Sequence, residues 1–106
     1  MRTIPVLASL LGLVLNTLPA IAVEQFTYEV EASKPQDRSL FVQGLQIIDG
    51  QLYVSTGRYG ESRLLRYDWP DQTLNHEHAL DPRLFGEGVT VLDDRVYQLT
   101  WRSGLM

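Results

Sequence analysis

Two stretches of the chain form a sequence repeat: Phe41-Val-Gln-Gly-Leu-Gln-Ile-Ile-Asp-Gly-Gln-Leu-Tyr-Val-Ser-Thr-Gly57 and Phe85-Gly-Glu-Gly-Val-Thr-Val-Leu-Asp-Asp-Arg-Val-Tyr-Gln-Leu-Thr-Trp101. They align without a gap at an offset of 44 residues, and five aligned pairs are identical: Phe41/Phe85, Gly44/Gly88, Asp49/Asp93, Tyr53/Tyr97 and Thr56/Thr100. A repeat of this length built from short strands is the size of one β-propeller blade, which has about four strands. The repeat therefore predicts an all-β fold of the propeller type. A chance likeness between two hairpins is the alternative, since only two copies are present.

Short runs of alternating apolar and polar residues, separated by turn residues, predict the individual strands. No stretch after the amino-terminal segment has a helical period. The predicted strands cover residues 25–30, 45–48, 51–55, 63–67, 89–92 and 95–100. Asp49-Gly50 predicts a tight hairpin turn between two of them, because glycine tolerates a positive φ.

The repeat also predicts how the chain is organised. One full repeat covers residues 41–84, and a second begins at residue 85. A closed propeller takes at least four blades. We therefore expect residues 23–106 to hold an outer strand (25–30), a first blade and the start of a second, about one and a half blades in all. Closure would need further blades, supplied by additional sequence or by another chain.

The amino-terminal segment has the layout of a secretory signal. Arg2 is the only charge in the first 23 residues, and residues 4–15 are uncharged and mostly apolar. Ala20 and Ala22 supply the small side chains that a signal peptidase requires. We expect residues 1–22 to be a cleaved signal, with an uncleaved anchor or a buried helix as the alternative. The mature protein would then be periplasmic or secreted, with no membrane association after cleavage.

Composition excludes several classes of function. The chain has 9 Lys and Arg against 13 Asp and Glu, a net charge of −4, and no basic cluster. It therefore lacks the electrostatic footprint of a nucleic-acid or anionic-membrane binder. The absence of cysteine removes disulfides, thiolate metal sites and a cysteine nucleophile together, and it fits a periplasm better than a disulfide-rich extracellular module.

The repeat also suggests where chemistry could take place. Gln43 and Glu87 are equivalent, each before an apolar strand and beside glycines, and Gly57 is equivalent to Trp101. In a propeller, equivalent residues of successive blades converge near the axis. A carboxylate, an amide and an indole facing one cavity would make a small polar site with an aromatic wall. The spacing alone favours the interpretation of Glu87 as a solvent-exposed loop carboxylate with no functional role.

Other polar residues give weaker signals. His76 and His78 would share one face of a strand, as a metal pair requires, but no third ligand is evident and a solvated face is the favoured reading. No metal site is therefore predicted. The serines Ser55, Ser62 and Ser103 lack the strand–turn–helix setting of a nucleophile.

Four linked motifs resemble those of the plant and bacterial type of glutaminyl-peptide cyclotransferases; they cover residues 41–45, 55–60, 85–90 and 98–101. The resemblance implies a five-bladed β-propeller that converts an N-terminal glutamine of a peptide or protein to pyroglutamate and releases ammonia. It implies that Glu87 is the catalytic acid, and that Gln43 and Trp101 bind the substrate. No cofactor is implied.

The resemblance has two mild departures and leaves alternatives open. Val42 stands where the family usually has Thr, and Val89 where it usually has Leu or Ile. Further family site residues (another Trp, an Asn and a Lys) belong to later blades that this sequence does not contain. The alternatives are a non-catalytic exported propeller that binds a ligand, and a truncated product that is inactive.

Overall fold

The computed structural model describes residues 23–106, and the predicted signal over residues 1–22 lies outside them. The described residues form six strands and no helix: β1 (Val42–Ile48), β2 (Gln51–Thr56), β3 (Arg63–Asp68), β4 (Thr73–Ala79), β5 (Gly86–Leu92) and β6 (Arg95–Thr100). The predicted all-β class is confirmed. Because these residues contain no helix, they contain none that could span a membrane.

The strands form two antiparallel sheets in the unit that covers Lys34–Met106. The first sheet has the order β1-β2-β3-β4, and the second pairs β5 with β6. Every neighbour in the first sheet is also the next strand along the chain, which is the arrangement of a single propeller blade. The second sheet repeats the first two strands. Neither sheet is closed within residues 23–106, so the propeller stays a prediction.

Two hairpin turns show the repeat at the level of the backbone. Asp49 and Gly50 have φ values of 49° and 69°, and the equivalent Asp93 and Asp94 have 48° and 60°. Positive φ at both central residues is the two-residue turn that matches the twist of paired strands. The predicted turn at Asp49-Gly50 is confirmed. The second hairpin adopts the same shape without a glycine.

Four of the observed strands are longer than predicted, whereas β6 has the predicted bounds. β1 begins at residue 42 rather than 45, and β5 begins at residue 86 rather than 89. Both extensions contain glycine, which disfavours a strand unless neighbouring backbone holds it in place. β4, whose residues are exposed throughout, has no apolar alternation that would have delimited it. Its pairing with β3 makes it a strand.

Residues 25–30, predicted as an outer strand, are not paired in this structure. Residues 23–33 have no regular secondary structure, and their side chains are exposed. An alternating sequence becomes a strand only where its N–H and C=O groups have a strand to pair with, and the structure assigns these residues no pairing. The outer strand therefore stays a prediction, because its partner would belong to a later blade.

The apolar core lies within the first sheet. Leu52, Val54 and Leu65 are buried, and four partly buried side chains pack against them: Leu40, Val42, Tyr67 and Trp69. Burial of this kind contributes roughly 25 cal/mol for each Å² of apolar surface removed from water. A cluster of three buried side chains is small, so the sheets also depend on polar contacts.

The two sheets meet at their first strands, where the backbones of β1 and β5 approach closely. A methyl group added at Gly44 would lie 2.7 Å from the backbone nitrogen of Val89. Further along, the backbone N–H of Val91 donates a 2.6 Å hydrogen bond to the side-chain oxygen of Gln46. These two contacts, at offsets close to that of the repeat, show that β1 and β5 run side by side with equivalent residues adjacent.

Candidate functional site

Gln43 and Glu87 occupy the same structural feature in the two sheets, a β-bulge. The register of β1 against β2 shifts at Gln43, which has no residue opposite it. The register of β5 against β6 shifts in the same way between Gly86 and Val89, around Glu87. A bulge bends its strand and redirects a side chain, and bulges are enriched beside active sites. The sequence placed both residues just before a strand, whereas the structure includes them in one.

The two bulges adjoin because β1 and β5 run side by side in equivalent register. The side chains of Gln43 and Glu87 are both partly buried. Among the hydrogen bonds and ion pairs of residues 23–106, none involves either side chain. A carboxylate and an amide thus lie on neighbouring strands with their polar groups uncommitted, which is an arrangement that a polar ligand could use.

An aromatic cluster lies at the same end of the sheets, where β1 and β5 begin. Phe85 is its centre, with ring centroids 6.1 Å from Phe41, 5.5 Å from Tyr59 and 5.6 Å from Trp101, all edge to face. Phe41, Tyr59 and Trp101 are 43%, 56% and 47% exposed. Trp101, predicted from sequence as an aromatic wall, therefore belongs to a larger half-exposed surface that ends two residues before Glu87.

Phe41, Phe85 and Tyr59 were not predicted as site residues. The identity of Phe41 and Phe85 in the repeat was the one sequence feature that could have indicated them. The structure also explains why the first repeat has a glycine, Gly57, at the position where the second has Trp101. A methyl group on Gly57 would lie 2.2 Å from the ring of Phe85, so the ring of the second repeat fills the space that a side chain would need.

The strand ends carry matching backbone hydrogen bonds. The N–H of Gly57 donates to the carbonyl oxygen of Phe41 at 2.8 Å, and the N–H of Trp101 donates to that of Phe85 at 2.8 Å. These bonds hold together the open ends of the β1–β2 hairpin and of the β5–β6 hairpin. The cluster is therefore built on paired strand ends rather than on a long loop.

The glycines on either side of Glu87 have different environments. A methyl group on Gly86 would lie 2.3 Å from the carbonyl oxygen of Thr56, so Gly86 is required for packing against the first sheet. On Gly88 it would meet only the side chain of Leu99, at 3.8 Å. Packing against the first sheet therefore requires glycine at residue 86, whereas it does not require glycine at residue 88.

The remaining polar candidates stay apart from this site. His76 and His78 are exposed on β4, the outer strand of the first sheet. Among residues 23–106, no group of three or more His, Cys, Asp or Glu side chains is placed to hold a metal ion.

The fold and site define a class: an all-β repeat protein with a carboxylate and an amide on adjoining bulges, next to a half-exposed aromatic cluster. Residues 5–106 match the glutamine cyclotransferase family. The chain is also 36% identical over 74 residues to the glutaminyl-peptide cyclotransferase of Arabidopsis thaliana. The chain therefore belongs to the glutamine cyclotransferase family, and the predicted family is confirmed. The alignment covers 69% of this chain but 23% of the relative, so the chain spans less than a quarter of that protein's length.

Proposed function

We propose that the chain carries part of the active site of a glutaminyl-peptide cyclotransferase, which acts on the N-terminal glutamine of a peptide or protein. The observation that carries the proposal is Glu87, partly buried on the bulge of β5 and without a hydrogen-bond partner for its carboxylate among residues 23–106. Family membership and the name of the Arabidopsis relative support the reaction.

The reaction closes a five-membered ring within one molecule. The α-amine nitrogen bonds to the γ-carboxamide carbon, the bond from that carbon to the amide nitrogen breaks, and ammonia leaves. Both reacting groups belong to the substrate, so holding the bent conformer supplies much of the rate advantage. A proton must move from the attacking nitrogen to the departing one, and a carboxylate that reaches both can carry it. We assign that role to Glu87.

Gln43 and Trp101 would bind and orient the substrate. The side-chain amide of Gln43, on the adjoining bulge, can donate a hydrogen bond to the oxyanion that forms at the γ-carboxamide carbon. The indole of Trp101, packed against Phe85, offers an apolar surface for the methylenes of the glutamine side chain. This scheme uses no metal or cofactor.

We propose a five-bladed propeller as the setting of the site, with β1 and β5 as the innermost strands of successive blades. Their side-by-side packing and the four-stranded order of the first sheet support it. Export through cleavage of residues 1–22 is part of the proposal. Further blades would complete the cavity.

The proposal is tested in a full-length protein, hereafter the exchange protein. It is the Arabidopsis relative in which residues 34–106 of this chain replace the corresponding segment. Ammonia release and pyroglutamate formation are measured with a peptide that begins with glutamine. Glu87→Gln keeps size and hydrogen bonding but removes the proton carrier, so kcat should fall roughly 10²- to 10⁴-fold while KM changes far less.

Glu61→Gln is the matched control, because it removes the same charge from a side chain that pairs with Arg58 beside the aromatic cluster. We expect its kcat to stay within a few-fold of the parent. A near-normal kcat for Glu87→Gln would remove the catalytic role from this residue. An exchange protein that binds the peptide without releasing ammonia would instead favour the non-catalytic binding module.

A further inference from the structure

Ser62 joins the loop after β2 to the first residue of β5. Its side chain is 3% exposed, and its hydroxyl donates a 2.7 Å hydrogen bond to the carbonyl oxygen of Arg58. The hydroxyl oxygen of Ser62 also accepts a 2.9 Å hydrogen bond from the backbone N–H of Gly86. One buried hydroxyl therefore closes its own loop and holds the strand that carries Glu87.

The contact lies at the start of the bulge. Gly86 is buried and directly precedes Glu87, and it is pressed against the carbonyl oxygen of Thr56 on one side. Gly86 has no side chain with which to define its position, so packing against Thr56 and the bond to Ser62 must do so. The position of Gly86 in turn determines where the bulge begins and where the next side chain points.

We propose that Ser62 is a positioning residue for Glu87, acting through the backbone of Gly86 rather than by touching substrate. The inference rests on the proposed function, because it assumes that Glu87 carries the proton. Loss of the hydroxyl frees the N–H of Gly86 and the carbonyl of Arg58 at once. The start of β5 can then move, and a displacement of about 1 Å at a catalytic group can cost as much as 10²-fold in rate.

The test compares two buried serines in the exchange protein. Ser62→Ala should lower kcat roughly 10- to 100-fold with little change in KM. Ser55→Ala is the matched control: Ser55 is fully buried, and its hydroxyl accepts a 2.8 Å hydrogen bond between the sheets from Gln98. Its hydroxyl makes no hydrogen bond to Gly86, so its loss should reduce stability while kcat stays within a few-fold.

A graded variant separates positioning from folding. Ser62→Cys keeps the shape of the side chain, but a thiol is a weak hydrogen-bond partner. We expect its kcat to lie between those of the parent and Ser62→Ala. The amide of Gly86, followed by hydrogen exchange, should exchange fastest in Ser62→Ala and at an intermediate rate in Ser62→Cys.

Three results would overturn the inference: equal loss of kcat in the Ser62→Ala and Ser55→Ala variants, a parental kcat in folded Ser62→Cys, or unchanged exchange at Gly86. If Ser62→Ala does not fold, the Cys variant decides by the same criteria. Failure of the proposed function would appear differently, as a normal kcat for Glu87→Gln. That result would remove the premise whatever the serine variants do.

Discussion

Gly86 and Gly88 flank Glu87, yet the structure predicts opposite results when each is changed to alanine. At Gly86 the new methyl would lie 2.3 Å from the carbonyl oxygen of Thr56 and 2.9 Å from the side-chain nitrogen of Gln98. Real Cβ contacts below 3.0 Å are essentially never seen. Because the closer atom belongs to a paired strand, β5 must move away from the first sheet.

The loss of folding stability in Gly86→Ala depends on whether the obstructing atom, the backbone oxygen of Thr56, can move. Inserting a methyl into a packed interior costs about 1–3 kcal/mol, and a backbone oxygen that cannot rotate away places Gly86→Ala at the upper end of that range. At Gly88 the only neighbour is the end of the Leu99 side chain at 3.8 Å, an ordinary contact. Alanine there restricts the unfolded chain and should stabilise the protein by about 0.4–1 kcal/mol.

Urea unfolding of the exchange protein, followed by fluorescence and by circular dichroism, measures both variants against the parent. We expect their free energies of unfolding to differ by roughly 3 kcal/mol, with Gly86→Ala the less stable. Equal effects at the two glycines would refute the close approach of β5 to the first sheet. So would a Gly86→Ala variant as stable as the parent.

The other predictions concern processing, association and pH. We expect cleavage after Ala22, so that exported protein starts at Val23; intact mass decides, and retention of the initiator methionine would contradict it. The 106-residue chain alone should be unstable or self-associate, because it exposes apolar side chains on both sheets; a monomer with a cooperative thermal transition would contradict this. Hydrogen bonds from Gln51 and Asn75 hold the pKa of Asp68 below its ordinary value of 3.8. The Asp68 carboxylate therefore contributes its full stabilising free energy well above pH 3.8. That contribution is lost as the pH falls through the lowered pKa of the folded protein. The stability difference between the parent and Asp68→Asn should shrink in acid, and a constant difference would show that the carboxylate adds nothing.

Features fixed by local sequence could be predicted. The Asp49-Gly50 turn follows from the conformational freedom of glycine, and the offset of the repeat follows from matched apolar positions. Strand formation at Gly86 does not follow, because glycine disfavours a strand unless distant backbone holds it. Residues 25–30 are the converse: the alternation is present, but residues 23–106 supply no strand that pairs with them.

The candidate site divides in the same way. Gln43 and Glu87 could be found from the sequence because the repeat aligns them, and the structure adds that both lie on bulges. Ser62 could not be found, because its contact with Gly86 joins residues 24 positions apart and nothing local distinguishes it from any loop serine. Part of the aromatic cluster could be predicted, because Phe41 and Phe85 are identical in the repeat. Tyr59 could not, because it has no equivalent aromatic residue in the second copy.

The junction between the sheets explains why a small protein segment could hold a precise site. Three side chains of the first sheet and its loop accept hydrogen bonds across it: Gln46 from Val91, Ser55 from Gln98, and Ser62 from Gly86. Apolar contacts are tolerant of sliding, whereas hydrogen bonds in a partly dry setting require a distance and a direction. All three bonds hold β5 or its partner β6 against the first sheet. The strand that carries Glu87 is thus aligned by directional contacts along its length, and the bulge has little freedom to shift. We therefore expect loss of the two side chains that bond the backbone of β5, Gln46 and Ser62, to lower kcat more than equally destabilising substitutions in the Leu52–Val54–Leu65 core. Measurement of kcat and of the free energy of unfolding on the same variants would decide the comparison.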